Sequence, residues 1–74
     1  VDNQITIEVL SIDNIQVEID LMNINGQKIQ ELYHGVIESN DLMKETFDIE
    51  GANGIYFIRI QSDKTKATFK IVKI

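Results

Sequence analysis

The sequence predicts an all-β protein, a small antiparallel sandwich or barrel of six or seven strands. Three observations lead to this prediction. Apolar and polar residues alternate with a period of two in most runs, β-branched residues are frequent in these runs, and turn-forming residues recur about every ten positions. No stretch shows the sustained apolar period of an amphipathic helix.

The first two predicted strands show the clearest alternation. Residues 5–9 (ITIEV) and residues 15–23 (IQVEIDLMN) place apolar side chains on one face of a strand and polar ones on the other. Such a strand has one face against a core and one face in water. Glu18 and Asp20 are therefore expected on a solvated face rather than as a pair of catalytic carboxylates.

The most specific local signal is the dipeptide Asn25-Gly26, which lies between the second run and a third predicted strand, residues 27–33. Both residue types tolerate a positive φ, as the two central positions of a type I′ turn require. We therefore expect a hairpin that is closed by a type I′ turn at Asn25 and Gly26.

Three further strands are predicted at residues 42–49, 54–61 and 66–74, and none of the strands contains proline. Polar segments separate the strands, namely residues 12–14, 38–41, 50–53 and 62–65. The shared phase of the alternation predicts six core residues, which are Val17, Ile19, Leu21, Tyr56, Ile58 and Ile60.

The last two predicted strands differ from the others because both of their faces carry apolar residues. In residues 55–60, Tyr56 and Ile58 face one way, and Ile55 and Phe57 face the other. This pattern is typical of a strand that is covered on both sides. In a chain of 74 residues, we expect the second cover to be a partner or a preceding domain.

A chain of 74 residues makes at most one domain, here residues 1–74, with a small core. It contains no cysteine, which excludes disulfides and cysteine-based metal sites. No apolar run approaches the ~20 residues of a membrane helix. Residues 1–10 do not resemble a signal peptide, because Asp2 and Glu8 interrupt them. Because the sequence begins directly in a strand-like alternation, we expect a fragment of a larger secreted protein.

The net charge of −5 argues against a nucleic-acid partner, because phosphate binding needs a clustered basic surface. The charge is uneven: residues 1–58 carry −9, whereas residues 59–74 carry +4. Such asymmetry is found in interaction tails, but lysines on exposed strand faces also keep sheet edges from pairing. On charge alone the second interpretation is favoured, and the first stays open.

Residues that could carry catalysis or bind metal are few. His34 is the only histidine and is expected at the end of a strand, with no nucleophile or further ligand beside it in sequence. The oxygens of Asp48, Glu50 and Asn53 lack the spacing of a calcium loop, and the glycines form no phosphate-binding motif. We therefore expect a protein that is not an enzyme and has no catalytic residue, cofactor or metal site.

Motifs in fixed order are more specific than the composition. MNINGQKI (residues 22–29) is followed by DIEGANGIYFIRI (residues 48–60) and by KIVK (residues 70–73). With these motifs the chain, over about residues 5–74, resembles the type A C-terminal sorting domains of the type IX (Por) secretion system of Bacteroidota. It lacks the Asn-Pro opening segment and the leucine before the GIYF glycine that this family usually shows.

The resemblance implies an immunoglobulin-like β-sandwich that acts as a non-catalytic secretion signal. The domain would direct an attached cargo through the periplasm and across the outer membrane, so that the cargo is secreted or held at the cell surface. Its partners would be the type IX machinery, a sortase-like protease that removes it, and the N-terminal cargo domain of the same polypeptide. The residues that match the motifs, and are therefore recognition candidates, are Gly54, Tyr56, Lys70, Ile71, Val72 and Lys73.

In this interpretation Gly54 allows a close backbone approach and Tyr56 packs in the core. The machinery recognises the terminal strand with its lysines, and the edge of that strand is open to a strand added by a receptor.

The alternative is a passive β-sandwich module, carbohydrate-binding or adhesive, attached to an exported enzyme. That module would need exposed aromatic residues on one face, for which Tyr33 and Phe57 are the candidates.

Overall fold

The computed structural model describes residues 4–49 and 51–74, which form six β-strands joined by turns and short loops. The described residues contain no helix that is long and apolar enough to cross a membrane. Val1, Asp2, Asn3 and Glu50, which the predictions above include, lie outside the described residues. The strands are β1 (Gln4–Leu10), β2 (Ile15–Met22), β3 (Lys28–Ile37), β4 (Leu42–Asp48), β5 (Gly54–Ser62) and β6 (Lys66–Lys73).

The strands form two antiparallel sheets. β3, β2, β5 and β6 make a four-stranded sheet in that order, and β1 pairs with β4 in a second sheet. The inner face of the large sheet packs against β1 and β4, and its outer face is turned away from them. The predicted small antiparallel β-sandwich is confirmed, and its architecture is consistent with an immunoglobulin-like fold.

The core lies between the two sheets. Ile7 in β1 and Ile49 after β4 close it on the side opposite the large sheet. The alternation predicted the correct inner face of β2 and β5, because a register shifted by one position would turn the apolar set into solvent. All six predicted core residues face this core: Val17, Ile19, Leu21 and Ile58 are buried, and Tyr56 and Ile60 pack against them.

The predicted hairpin between β2 and β3 is confirmed, but the predicted type I′ turn is wrong. Gly26 has a φ of 83°, whereas Asn25 has no positive φ. The amide of Gly26 donates to the carbonyl of Asn23 at 3.0 Å, so Ile24 and Asn25 are the central residues and Gly26 follows them. Oδ1 of Asn23 stabilises this turn by accepting from the amides of Asn25 at 2.9 Å and Gln27 at 3.0 Å.

β3 continues beyond Tyr33, so the prediction that His34 ends a strand is wrong: His34 lies inside β3. The pairing with β2 shifts between Ile19 and Asp20, which leaves Leu32 without a direct partner across the strands. As a result, the adjacent residues Leu32 and Tyr33 both pack against the core. Two neighbouring apolar residues on one side interrupt the period of two, and this hides the continuation of the strand in the sequence.

One end of the large sheet brings the sequence motifs together. Gly54 at the start of β5 pairs with Lys73 at the end of β6. Met22 at the end of β2 pairs with Phe57 in β5. The GIYF and KIVK segments are therefore neighbours in space, and they lie beside the end of β2.

Candidate functional site

The recognition candidates lie on the hairpin of β5 and β6, whose register decides where each side chain points. Tyr56 and Ile71 pack against the core and so lie on the inner face. Side chains alternate along a strand, so the pairs on either side of them lie on the outer face. The paired residues are Tyr56 with Ile71, Ile55 with Val72, and Phe57 with Lys70.

On the inner face, Tyr56 contacts the loop that precedes β5. Its hydroxyl donates to the carbonyl of Ala52. Gly51 leaves room for that hydroxyl, since a Cβ at this position would lie only 2.8 Å from the oxygen. Tyr56 therefore does more than the core packing predicted for it, because it also determines the path of the 51–53 loop (residues 51–53).

Lys73 is the second inner-face residue that binds this loop. Its Nζ donates to the carbonyl of Gly51, and the residue is only 7% exposed. The ammonium is thus satisfied inside the protein by a charge-assisted hydrogen bond. The expectation that the lysines of β6 share an exposed surface is wrong for Lys73, because an odd-numbered position on this strand faces inward, as Ile71 does.

Gly54 opens β5 with a φ of 151°, a conformation that L-residues with a side chain rarely adopt. A Cβ built on Gly54 would meet no described atom within 4 Å. The predicted close backbone approach is therefore wrong. Glycine is required here by the backbone conformation with which the chain leaves the 51–53 loop.

The outer face of the same hairpin is apolar and open. Ile55 and its cross-strand partner Val72 are 46% and 45% exposed. Phe57 is half-buried beside the exposed Lys70. We call the surface formed by Ile55, Phe57, Lys70 and Val72 the outer patch. Apolar residues on both faces were correctly identified from the sequence, and within the described residues the outer patch has no second layer over it.

Next to the outer patch, a groove of about 350 Å³ runs between the β2–β3 turn and β6. Its apolar wall comes from Met22, Ile24 and Phe57. Its polar wall includes two cationic residues, Arg59 and Lys66. Phe57 belongs to both features, so the outer patch and this outer-face groove form one continuous surface.

The prediction that Asp20 lies on a solvated face is wrong. Its side chain is fully buried on the outer face of β2, although the alternation places it in solvent. β2 is a central strand, and long cationic side chains from both neighbouring strands cover the carboxylate. Nη2 of Arg59 donates to Oδ2 at 3.0 Å, and Nζ of Lys28 lies 3.7 Å from Oδ1. Arg59, held by this contact, also lines the groove.

Comparison with protein families identifies this sandwich. The model of a family described as a secretion system C-terminal sorting domain matches residues 1–74, the whole chain. The chain belongs to this family. The resemblance to type IX secretion C-terminal sorting domains is therefore confirmed. No curated protein and no solved structure matches the chain.

Membership of the sorting-domain family establishes the general function. The chain is a C-terminal sorting signal of type IX secretion, and it takes part with that machinery in export across the outer membrane. The family is non-catalytic. The motif positions of the sorting domain can now be assigned to two faces of one hairpin.

The structure separates the six recognition candidates. Tyr56, Ile71 and Lys73 face inward, where they pack or form hydrogen bonds within the fold. Gly54 contributes a backbone conformation. Lys70 and Val72 belong to the outer patch, and they are the motif residues that a second protein can contact in the folded domain. A motif position thus does not by itself indicate a contact position.

Sequence reasoning missed several residues of the outer surface. Met22 and Ile24 look like ordinary strand and turn residues, and Arg59 and Lys66 look like solubilising charges. A signal was present in the sequence, since the apolar residues Met22 and Ile24 come just before the Asn-Gly turn. Only the pairing of β2 with β5 shows that Met22 meets Phe57.

The remaining candidates for chemistry include His34 and the acidic residues. His34 is exposed, with Nε2 at 3.4 Å from Nε2 of Gln16 and Nδ1 at 3.5 Å from Oε1 of Glu31. Among the described residues, no three histidine, cysteine or acidic side chains are grouped closely enough to hold a metal ion. Glu50, one of the three oxygen donors considered for calcium, lies outside them.

Proposed function

We propose that this sorting domain, residues 1–74, is one domain of a larger secreted protein and directs its N-terminal cargo across the outer membrane. The observation that carries the proposal is the match of the whole chain to the sorting-domain family. The domain itself performs no catalysis. It serves as a folded structure that the type IX machinery recognises.

We propose that recognition centres on the β5–β6 hairpin. Lys70 and Val72 support a contact role because both are exposed on the outer face. Gly54, Tyr56, Ile71 and Lys73 support recognition indirectly, because they determine the shape of the hairpin and of the 51–53 loop. This assignment explains why one motif contains both packed and exposed residues.

We further propose a processing step after the domain has crossed the outer membrane of a bacterium of the Bacteroidota. A sortase-like protease removes the domain, and the cargo is then released or attached to the cell surface. The chain between the cargo and β1 is where such a protease would cut. Removal at that point separates the cargo from the domain without disrupting the sandwich.

A reporter fusion tests this function. The reporter is joined to the domain and expressed in a host with an active type IX system and in the same host without its translocon. We expect extracellular reporter only in the first host, and periplasmic reporter when residues 66–74 are deleted. Because the deletion also removes Ile71 from the packing, the purified domain is melted in parallel. Equal secretion with and without the translocon would refute the proposal.

The passive module is not supported in the same way. A carbohydrate-binding face needs exposed aromatic rings side by side. Of the two candidates, Tyr33 packs against the core and Phe57 is half-buried in the groove. Phe69 is exposed, but it lies on the inner side of β6 and so does not extend the surface around Phe57.

A further inference from the structure

We propose that the outer-face groove, together with the outer patch, is the docking site for an acidic and apolar segment of a protein of the export machinery. This inference rests on the proposed function and specifies which surface is contacted and by what chemistry. The occupant inserts an apolar side chain against Met22, Ile24 and Phe57. Its carboxylates lie against Lys66 and Lys70.

The apolar part of the surface is formed by neighbouring side chains of three strands and the β2–β3 turn. Cross-strand pairing places Met22 beside Phe57, and the next positions on β5 and β6 add Ile55 and Val72. Ile24 is 67% exposed at the rim of the groove. Covering such residues releases water from apolar surface, which favours association with a partner that also presents apolar side chains.

The charges of this surface decide which partner fits. Neither Lys66 nor Lys70 forms an ion pair with another described residue. By contrast, Lys28, Lys44 and Lys64 each lie within 3.7 Å of a carboxylate oxygen. The unpaired positive charges of the described chain are therefore concentrated on β6, next to the apolar groove.

Arg59 forms part of the wall of the groove, but its charge is paired. Its guanidinium is bound to the buried carboxylate of Asp20 at 3.0 Å, so the side chain is held in one orientation before a partner arrives. A preorganised wall lowers the ordering cost of binding. Net attraction must then come from Lys66 and Lys70.

The geometry also limits the spacing within the occupant. Lys66 and Lys70 are four residues apart on β6, which corresponds to about 13 Å at about 3.3 Å per residue. An extended acidic segment matches this spacing when its carboxylates are four positions apart and an apolar residue lies near their midpoint. Complementary charge of this kind affects the association rate and selects between partners.

The first test reverses the two unpaired charges. Lys66→Glu with Lys70→Glu is introduced into the reporter fusion and compared with Lys44→Glu with Lys64→Glu. Both doubles change the net charge equally and alter only exposed lysines. We expect the first double to reduce the secreted fraction about tenfold, because like charges would face the acidic occupant. We expect the control double to be secreted like the parent. Equal secretion of the two doubles would overturn the inference.

The second test removes apolar surface while keeping β-branched residues in the strands. Ile55→Thr with Val72→Thr is compared with Ile29→Thr with Val36→Thr, which removes similar exposed surface from β3. We expect secretion to fall only for the first pair, with urea midpoints close to that of the parent for both. A loss of secretion that parallels a loss of stability in both pairs would contradict docking.

Two binding measurements separate other occupants. The purified domain is mixed with vesicles of phosphatidylglycerol and phosphatidylethanolamine, and its self-association is measured by sedimentation. Vesicle binding that the Lys66→Glu/Lys70→Glu double abolishes would make the occupant a lipid surface and overturn the proposal. A dimer that the same double dissociates would make it a second copy and overturn the proposal equally. We expect neither.

The parent fusion separates failure of the proposed function from failure of the docking inference. If its secretion does not need the translocon, the proposed function fails before any variant is examined. If its secretion needs the translocon but the groove variants are secreted normally, only the docking inference fails.

Discussion

The two faces of the β5–β6 hairpin use neighbouring motif residues in different ways. On the inner face, Tyr56 and Lys73 form hydrogen bonds with consecutive carbonyls of the 51–53 loop. On the outer face, Val72 and Lys70 are exposed to solvent. The inner face determines the shape of the hairpin, and we propose that the outer face presents that shape to a partner.

In the proposed function, this difference would allow a short sorting signal to be specific. We expect positions such as Tyr56 and Lys73 to be needed because a misfolded hairpin would present no such surface. In the proposed function, positions such as Lys70 and Val72 are needed only for contact with the partner. Stability and export should therefore respond differently to changes on the two faces, and variants of each face can measure that difference, beginning with the largest effect.

Adjacent aromatic residues give the sharpest contrast. Tyr56→Ala should lower the free energy of unfolding by about 3 kcal/mol, because it removes a packed ring and the bond to Ala52. Phe57→Ala should lower it by about 1 kcal/mol, because that ring is half-buried on the open face. Urea denaturation measures both. If Phe57→Ala costs as much as Tyr56→Ala, the outer face is part of the core and the comparison fails.

Asp20 lies on the outer face, but because it is fully buried, we expect its substitution to lower stability as much as that of an inner-face residue. Asp20→Asn removes the charge that binds Arg59 while keeping the side-chain shape, and should cost about 2 kcal/mol in the free energy of unfolding. Glu18→Gln is the matched control, because Glu18 is half-buried and its Oε1 lies 3.5 Å from Nε2 of Gln61. It should cost less than about 0.5 kcal/mol. Similar costs for the two changes would mean that the buried ion pair contributes little.

A substitution in the β2–β3 turn beside the groove should have a smaller effect on the free energy of unfolding. Gly26→Val should cost about 1 kcal/mol or more, because a β-branched residue resists a φ of 83°. No described atom lies within 4 Å of a Cβ at this position, so the cost comes from the backbone and not from a clash. Gly26→Asn should cost less, since asparagine tolerates this region. A urea midpoint that valine leaves unchanged would contradict the observed turn.

The smallest effect is expected at His34, on the outer face of β3 away from the groove. His34→Ala should change the free energy of unfolding by less than about 0.5 kcal/mol, as at other exposed positions. Secretion of the reporter should also be unchanged. Tight zinc binding in a calorimetric titration, lost in the alanine variant, would show that this part of the outer face has a function we have not assigned.

The alternation of residues predicted the fold well, because a period of two depends only on which side of a strand is buried. It predicted the correct face for Val17, Leu21 and Ile58. It failed at Asp20, since burial on the outer face depends on Arg59 and Lys28, which are distant in sequence. It also failed at β3, where the irregular pairing near Leu32 places two adjacent residues on one side.

The candidate site was predicted less completely. The motifs located the hairpin, and alternation showed that both of its faces are apolar. The alternation places Lys73 on the same face as Ile71, but its hydrogen bond to the carbonyl of Gly51 was not predictable, because the path of a loop is not encoded in a period. The groove was missed for a related reason, since it forms only where Met22 meets Phe57.

The most direct test of the central claim measures reporter secretion at a low and at a high growth temperature for two variants. Lys73→Met removes an inner-face hydrogen bond and should cost about 1.5 kcal/mol of stability. Lys66→Glu with Lys70→Glu alters only the exposed surface and should cost little. Because the folded state is more stable at moderate temperature than near its melting point, cooling should restore folding of the first variant.

We predict that secretion of Lys73→Met is reduced at the high temperature and restored at the low one, whereas the Lys66→Glu/Lys70→Glu double is poorly secreted at both. The parent fusion, secreted at both temperatures, is the control. If cooling restores both variants, the outer face only stabilises the domain. If cooling restores neither, the machinery contacts Lys73 itself, and the division between a structural inner face and a recognised outer face is wrong.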